Sequence, residues 1–375
     1  MTSEEQAQGN APGAGPGAGT EAVTAFADRI FASALGSLEM LSVYLGDRLG
    51  WYRALAEGEP LDAPTLAERT GTHERYAREW LEHQAVSGIL TVDDPDAAAS
   101  ARRFSLPAAH AEVLTNAASL DYLAPLGRFV AATAGQLPAL LDAYRTGGGV
   151  AWAQLGEDAR DAQGDINRPW FQQRLAPALA GVPSLHAVLS RPAARIADVG
   201  SGHGWSAIAI AQAYPDARVE GFDVDGPSVA AARRHAAASG VGDRVRFHHV
   251  AGEALPEEGV FDAAFIFEAL HDMPFPVEVL AAIRRAVKPD GAVVVMDEAV
   301  APAFAPDGDD VERVMYGYSL LLCLPDSLAT PGSVGTGTVM RQSTLERYAR
   351  EAGFDAIEEL PIEDFAFFRF TRLLH

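Results

Sequence analysis

The 375-residue sequence has one cysteine, Cys323, and one lysine, Lys288. A single thiol excludes an internal disulfide framework and an all-cysteine metal site, and it fits a reducing compartment. With so little lysine, the basic residues are almost all arginines scattered among acids. The net charge of -22 and the lack of a basic patch exclude ordinary attraction to nucleic acid phosphates or anionic membranes. No apolar run approaches the roughly 20 residues needed to span a bilayer. The first twenty residues, MTSEEQAQGNAPGAGPGAGT, also lack the basic and apolar regions of a secretory signal. They read as a disordered tail on a cytoplasmic protein with no nucleic acid or membrane partner.

What the chain does have is a change of texture near its middle. After the tail (1–20), residues 21–107 carry apolar residues at helical steps of three and four. The helices DAPTLAERTG and THERYAREWLEHQAVSGIL meet at Gly71-Thr72, where Thr72 is expected to cap the second. Two short strands, GILTVDD and RRFSLP, then complete the plan of a winged helix. Its second helix carries Glu74, Glu79 and Glu82 against Arg75 and Arg78, so a dimerisation role is favoured over DNA binding. Residues 108–190 form a helical linker or lid, with polar breaks expected at RTGGGVAW and GDINRPWF.

Residues 191–375 alternate strand and helix: ARIADVG, WSAIAIAQAYP, RVEGFDVD, PSVAAARRHAAAS, RVRFHHV, FDAAFIF, PVEVLAAIRRAV and GAVVVMDEAV. Apolar strands separated by helices predict an α/β, doubly wound, Rossmann-like sheet covered on both faces. The last two strand-like runs, DAIEELPI and FAFFRFTRLL, are separated only by ED, so the sheet must end in an antiparallel hairpin.

The first strand leads into DVGSGHGW, with Gly200, Gly202 and Gly204 alternating. Such glycines let backbone N–H groups approach a ligand. The third glycine comes one residue too early for a dinucleotide turn, and Asp198 opposes a pyrophosphate but suits an ammonium group. Asp223, ending the second strand, suits ribose hydroxyls, and Glu253 suits the amine of adenine. An ammonium, a ribose and an adenine without phosphate describe S-adenosyl-L-methionine.

DVGSGHG, GFDVD, VAGEALP, FEALHDM, VKPDGAVVVMDE and the terminal hairpin together resemble the class I S-adenosylmethionine-dependent methyltransferases. GDINRPWF, MYGYSLLLCLP and GTGTVMR are similar to bacterial two-domain members with an N-terminal winged helix. The resemblance implies cofactor contacts from Asp198, Gly200, Ser201, Gly202, Gly204, Asp223, Val224, Gly252, Glu253, Ala254 and Glu268. It further implies methyl transfer to a small-molecule acceptor by a homodimer, with S-adenosyl-L-homocysteine as the product.

By resemblance to plant-type and antibiotic-pathway O-methyltransferases, His271 in EALHDM is the candidate base and Asp297 its orienting carboxylate. A histidine here also occurs as a packing or cofactor-contact residue, so both roles stay open. Oxygen is the favoured acceptor atom, with nitrogen and carbon as alternatives. Arg168, Phe171, Tyr316 and Tyr318 are candidate acceptor contacts, while Asn167 and Arg168 are also placed to reach the cofactor carboxylate. Trp170, Phe304 and Cys323 are further candidates for the acceptor wall. His248 and His249 are expected to be structural, and the scattered histidines show no metal-ligand spacing. The rival readings are a ligand-sensing transcriptional regulator that retains this fold and a nicotinamide oxidoreductase. The misplaced glycine and Asp198 disfavour the oxidoreductase.

Overall fold

The computed structural model describes residues 16–255 and 259–375. It begins with a 33-residue helix, α1 (Pro16–Arg48), so the last five residues assigned to a tail are helical; residues 1–15 lie outside the described part. Proline is tolerated in a first helical turn, where its missing N–H would have had no intrahelical partner. Only the C-terminal end of α1 is covered, and Phe26, Ile30, Phe31, Leu35 and Leu38 are exposed along the rest.

The short helices α2 (Trp51–Leu55), α3 (Ala63–Thr70) and α4 (Glu74–Val86) follow, then the strands β1 (Thr91–Val92) and β2 (Phe104–Ser105). The strands pair antiparallel, and Trp51, Tyr52, Leu66, Trp80, Leu81 and Phe104 close one small core. Asp62 caps α3 by accepting from Thr65 N–H at 2.8 Å, and Gly71 ends it in the left-handed region. Thr72 does not cap α4. His73 does so through Nδ1, which accepts from Arg75 N–H at 3.2 Å, because the Thr72 hydroxyl is engaged by Trp51 Nε1–H at 3.1 Å.

Helices α5 (Ala108–Thr115), α6 (Pro125–Gly135), α7 (Leu137–Thr146) and α8 (Trp152–Trp170) lead towards the sheet. The expected break at GDINRPWF is absent, since α8 runs on through a π-helical turn, Phe171–Leu175, into α9 (Ala176–Ala180) and α10 (Pro183–Leu189). Pro169 removes one helical donor, and the wider turn just after it accommodates the loss without ending the helix. Buried Arg128 on α6 donates to Asp47 on α1 at 2.6 Å and to Asp165 on α8 at 2.7 Å, joining three helices through one guanidinium.

The remaining elements in chain order are β3 (Arg195–Val199), α11 (Trp205–Ala213), β4 (Arg218–Asp223), α12 (Gly226–Ala238), β5 (Val245–His249), β6 (Phe261–Phe267), α13 (Pro276–Ala286), β7 (Val287–Glu298), α14 (Asp310–Tyr318), α15 (Leu324–Leu328), α16 (Gln342–Glu351), β8 (Ala356–Glu359) and β9 (Phe368–Leu374). The sheet order is β5-β4-β3-β6-β7-β9-β8, with β9 antiparallel to both its neighbours. The doubly wound sheet and its terminal hairpin are thus as the sequence predicts. The hairpin loop is longer than ED, because Phe365 leaves the strand path and is buried against Phe370, 5.1 Å between ring centres.

Strand order reverses between β3 and β6, and ligands of such sheets bind beyond the strand ends at that crevice. The turns after β3 and β6 pack directly on each other: a Cβ on Gly200 would lie 2.6 Å from Ala269 Cβ. Gly204 has φ +78°, and a Cβ there would collide with the Phe247 ring and lie 2.9 Å from Ala232 Cβ. Gly204→Ala should therefore lower unfolding free energy by about 1–3 kcal/mol, measured as a lower urea midpoint.

Candidate active site

The turn after β3 is shaped by backbone bonds. Gly200 N–H and Ser201 N–H both donate to Phe222 O, at 2.8 and 3.2 Å, and Gly204 N–H donates to Ser201 O at 2.8 Å. Gly200, Gly202 and Gly204 all have positive φ, a conformation a side chain resists. Asp223 is aimed by two donors, Gly202 N–H at 2.7 Å and Asp225 N–H at 2.8 Å. An ionised carboxylate has about four acceptor positions, so two remain for a ligand.

Fully buried Asp198 accepts from Ser206 Oγ–H at 2.6 Å, and burial pushes its pKa up to about 7. Its other oxygen, Oδ1, has no protein partner, and neither do Ser201 Oγ, Trp205 Nε1 and Arg168 Nε. The Arg168 guanidinium lies 5.3 Å above the Trp205 ring and donates to Ala117 O at 2.9 Å. Arg168 therefore belongs beside the glycine turn. A lone acceptor with two lone donors suits a zwitterion, an ammonium with a carboxylate, because buried polar atoms without partners are costly. Val224 is 68% exposed at the rim, and Glu253 sits in the turn Gly252–Ala254 after β5.

The turn after β6 brings Glu268, His271 and Asp272 to the same crevice. Glu268 accepts from Asn167 Nδ2–H at 2.6 Å, which carries α8 across the cleft. Burial pushes the Glu268 pKa up to about 7. His271 is 1% exposed and its Nδ1 lies 2.7 Å from Asp297 Oδ1, a hydrogen bond in which Nδ1–H donates. Residues 26 apart in sequence are thus in contact, as a base and its orienting carboxylate would be. Burial acts against the imidazolium, but Asp297, Glu298 and Asp272 raise the His271 pKa well above the ordinary range. Folding gathers donors that sequence spacing did not: His271 with Asp272 and Cys323, and His271 with Asp297 and Glu298, each set within 4.8 Å.

The other candidates disperse. Tyr318 rests against Phe129, 5.8 Å between ring centres, and burial pushes its pKa up to about 12. Glu268 and Cys323 are its ionisable neighbours, so it faces the histidine side. Tyr316 instead accepts from Arg341 Nη2–H at 3.2 Å, next to the Arg341–Glu312 ion pair. Phe171 is core, packed on Phe267 and Phe365, and Trp170 packs on Phe365. Phe304 is 72% exposed. Helical periodicity marks apolar positions without saying which side of a wall they face. His248 bonds Glu220, and His249 bonds Val224 O.

Sequence reasoning missed Trp205, the residue that ends DVGSGHGW, and Asp326, which has no motif. Asp326 accepts from Trp152 N–H at 2.6 Å, and burial, with Asp272 nearby, pushes its pKa up to about 7.

Asp198, Glu268 and Asp326 keep their protons to about pH 7 in the fold but release them near pH 4 in the unfolded chain. Between those values the folded state binds more protons, so stability falls as pH rises. The depressed carboxyls Asp225 and Asp262 act only below that window. The thermal midpoint of the ligand-free protein should be lower at pH 8 than at pH 5.5, and Asp198→Asn should flatten the slope, followed by circular dichroism.

A family model described as "Methyltransferase domain" matches residues 196–291, and an "Rv2258c-like winged HTH domain" matches residues 37–116. The chain is 33% identical over 142 residues to 27-O-demethylrifamycin SV methyltransferase of Amycolatopsis mediterranei, covering 38% of this chain and 50% of that protein. It is 29% identical over 172 residues to the ubiquinone biosynthesis O-methyltransferase of Burkholderia pseudomallei, covering 44% and 67%. The chain thus spans only half the length of the first relative. Among solved structures, mitomycin 7-O-methyltransferase MmcR superposes with a TM-score of 0.71 over 95% of this chain and 99% of that one, at 22% identity. Human N-acetylserotonin methyltransferase, in complex with SAM, superposes with a TM-score of 0.63 over 93% of this chain and 97% of that one, at 19% identity. At these identities the likeness is one of fold. The methyltransferase-domain match spans the glycine turn at the switch point and follows the winged-helix match, and the chain shares the fold of solved O-methyltransferases.

Proposed function

We propose that the protein transfers a methyl group from S-adenosyl-L-methionine to an oxygen of a small-molecule acceptor, leaving S-adenosyl-L-homocysteine. The observation that carries this reading is the buried His271–Asp297 pair set against the glycine turn and Asp223. The cofactor supplies an electrophilic methyl on a sulfonium. Asp198, Trp205 and Arg168 hold the zwitterionic end, Asp223 holds the ribose, and Val224 with the Gly252–Ala254 turn borders the adenine, Glu253 accepting from its amine. Asp297 fixes His271 as the Nδ1–H tautomer, which leaves Nε2 to take a hydroxyl proton as the acceptor attacks. Position accounts for much of such catalysis, and the base adds to it.

Residues 108–190 act as a lid. Arg160 on α8 pairs with Asp225 at 2.7 Å, Asn167 bonds Glu268, and Tyr144 O–H donates to Leu320 O at 2.9 Å, so the helices span the cleft from both sides. The winged-helix domain serves dimerisation: the apolar face of α1, with Phe31 66% exposed, is the kind of surface a second copy covers. A regulator role is disfavoured by α4, whose Arg75 and Arg78 pair with Glu79 and Glu74 on the same helix. No helix of the described residues is long and apolar enough to cross a membrane, and a cytoplasmic site suits the single thiol.

Calorimetric titration should show both the cofactor and its demethylated product binding the wild type, with Asp223→Ala weakening both by about 10²-fold, as expected when charged hydrogen bonds are lost. Absence of binding to the wild type would remove the methyltransferase reading. Once an acceptor is found by screening with labelled cofactor, His271→Ala should slow transfer by roughly 10²- to 10⁴-fold. A histidine that only packs would leave the rate nearly unchanged. Light scattering should give a dimer mass for the wild type and a monomer mass for Phe31→Asp.

A further inference from the structure

Three carboxyl groups surround one buried imidazole. Nδ1 of His271 lies 2.7 Å from Asp297 Oδ1 and 3.3 Å from Glu298 Oε2, and Nε2 lies 3.4 Å from Asp272 Oδ1. The other ionisable neighbours are the Cys323 thiol, which lies against Asp272 and His271, then Glu268 at the start of the turn, and Tyr318 beside Glu268 and Cys323. Among the described residues, His271 is the only basic side chain within ion-pair distance of Asp272, Asp297 or Glu298. The arginines of flanking elements are engaged elsewhere, Arg160 with Asp225, Arg341 with Glu312 and Arg168 with Ala117 O.

A neutral imidazole has one N–H and one lone pair. If Nδ1–H serves Asp297, the Nε2 lone pair faces a carboxylate oxygen, acceptor against acceptor, and Asp272 Oδ1 indeed has no hydrogen-bond partner. A proton on Nε2 converts that repulsion into an ion pair and cancels one buried negative charge. In agreement, burial is outweighed at His271 by its acidic neighbours, which raise its pKa, while burial raises the Asp272 carboxyl and the charge of His271 and the Cys323 hydrogen bond oppose that rise. Glu298, buried and next to ionised Asp297, is held well above the carboxylate range and keeps its proton. An imidazolium, however, cannot accept a proton from a hydroxyl. The turn that bears His271 packs on Gly200, so a positive charge held at the glycine turn acts on this cluster through the protein interior, where screening is weak.

We propose that Asp272 and Asp297 clamp His271 as imidazolium in the cofactor-free protein and that the sulfonium charge replaces it as their counterion, expelling the Nε2 proton to solvent. His271 then keeps Nδ1–H on Asp297 and presents a free Nε2 lone pair to the acceptor. The base is thereby armed by the methyl donor and not by the product, an uncharged thioether otherwise identical except for the methyl group. Asp272 is a positioning residue in this scheme, acting through His271. The inference rests on the methyl-transfer reading but needs no acceptor to test.

The test is calorimetric titration of S-adenosylmethionine and S-adenosylhomocysteine into the full chain at pH 7, in phosphate and in Tris, whose ionisation enthalpies differ. The buffer dependence of the heat counts protons exchanged on binding. Wild type should release more protons with the sulfonium than with the thioether, by up to about one per site, and Asp272→Asn and His271→Gln should each shrink that difference. Equal proton counts for the two ligands bound to wild type would overturn the inference while leaving the methyl-transfer reading intact, and this comparison needs no variant to fold. A difference that persists undiminished in both variants would also overturn it. Failure of either ligand to bind would instead remove the methyl-transfer reading, and this inference with it.

Discussion

Gly200 lies so close to Ala269 that any side chain on it would push the two turns of the crevice apart. That contact depends on strand order. Because β3 lies between β4 on one side and β6 on the other, the loops leaving β3 and β6 diverge above the sheet and leave a gap between the helices that follow. The residues proposed to carry the chemistry are arranged around that gap. Asp198 and Asp223 stand on its β3–β4 side, and Glu268, His271 and Asp297 stand on its β6–β7 side.

The gap is strongly acidic. Asp198, Glu268 and Asp326 are each held near a pKa of about 7, chiefly by burial. Burying carboxyls costs stability whether they are neutral without full hydrogen bonding or charged without a partner. Elsewhere the protein satisfies its buried acids well. Asp47 and Asp165 share Arg128, Asp225 has Arg160, and Asp262 has Arg191 and Lys288. The contrast is one that the cationic ligand proposed above would resolve, by supplying the counterion that the acids of the crevice lack. A net charge of -22 is therefore not only a matter of solubility; part of it is concentrated where a sulfonium and an ammonium would lie.

The helices over the crevice are tied down by polar bonds as well as by the apolar cluster of Phe129, Leu155, Ala159 and Leu322. Asn167 reaches Glu268, Arg160 reaches Asp225, and Trp152 N–H reaches Asp326. Two of the carboxyls involved, Glu268 and Asp326, are the ones with raised pKa values, so the hold of α8 on the site and the protonation of the site are linked. The π-helical turn after Pro169 lets α8 continue past the cleft to the buried face of the sheet, where Phe171 becomes core.

The glycine turn, the acids at the ends of β3 and β4, the doubly wound order and the closing hairpin were legible in the sequence, because each is a local matter. Left-handed turns require glycine, buried parallel strands require apolar runs, and a short link forces antiparallel pairing. The His271–Asp297 pair was legible only through resemblance, since nothing local links the turn after β6 to the end of β7. What the sequence could not show depended on which way side chains face once the layers pack. Phe171 and Tyr316 have the right types for an acceptor wall but turn to the core and to Arg341, while Trp205 and Asp326 reach the crevice without any motif. The sequence by itself determined the fold class and the chemistry of the two turns, since backbone conformation follows from local sterics and strand burial. Only the tertiary structure decided how many acids meet one histidine, because charges distant in the chain interact strongly only when packing removes the water between them.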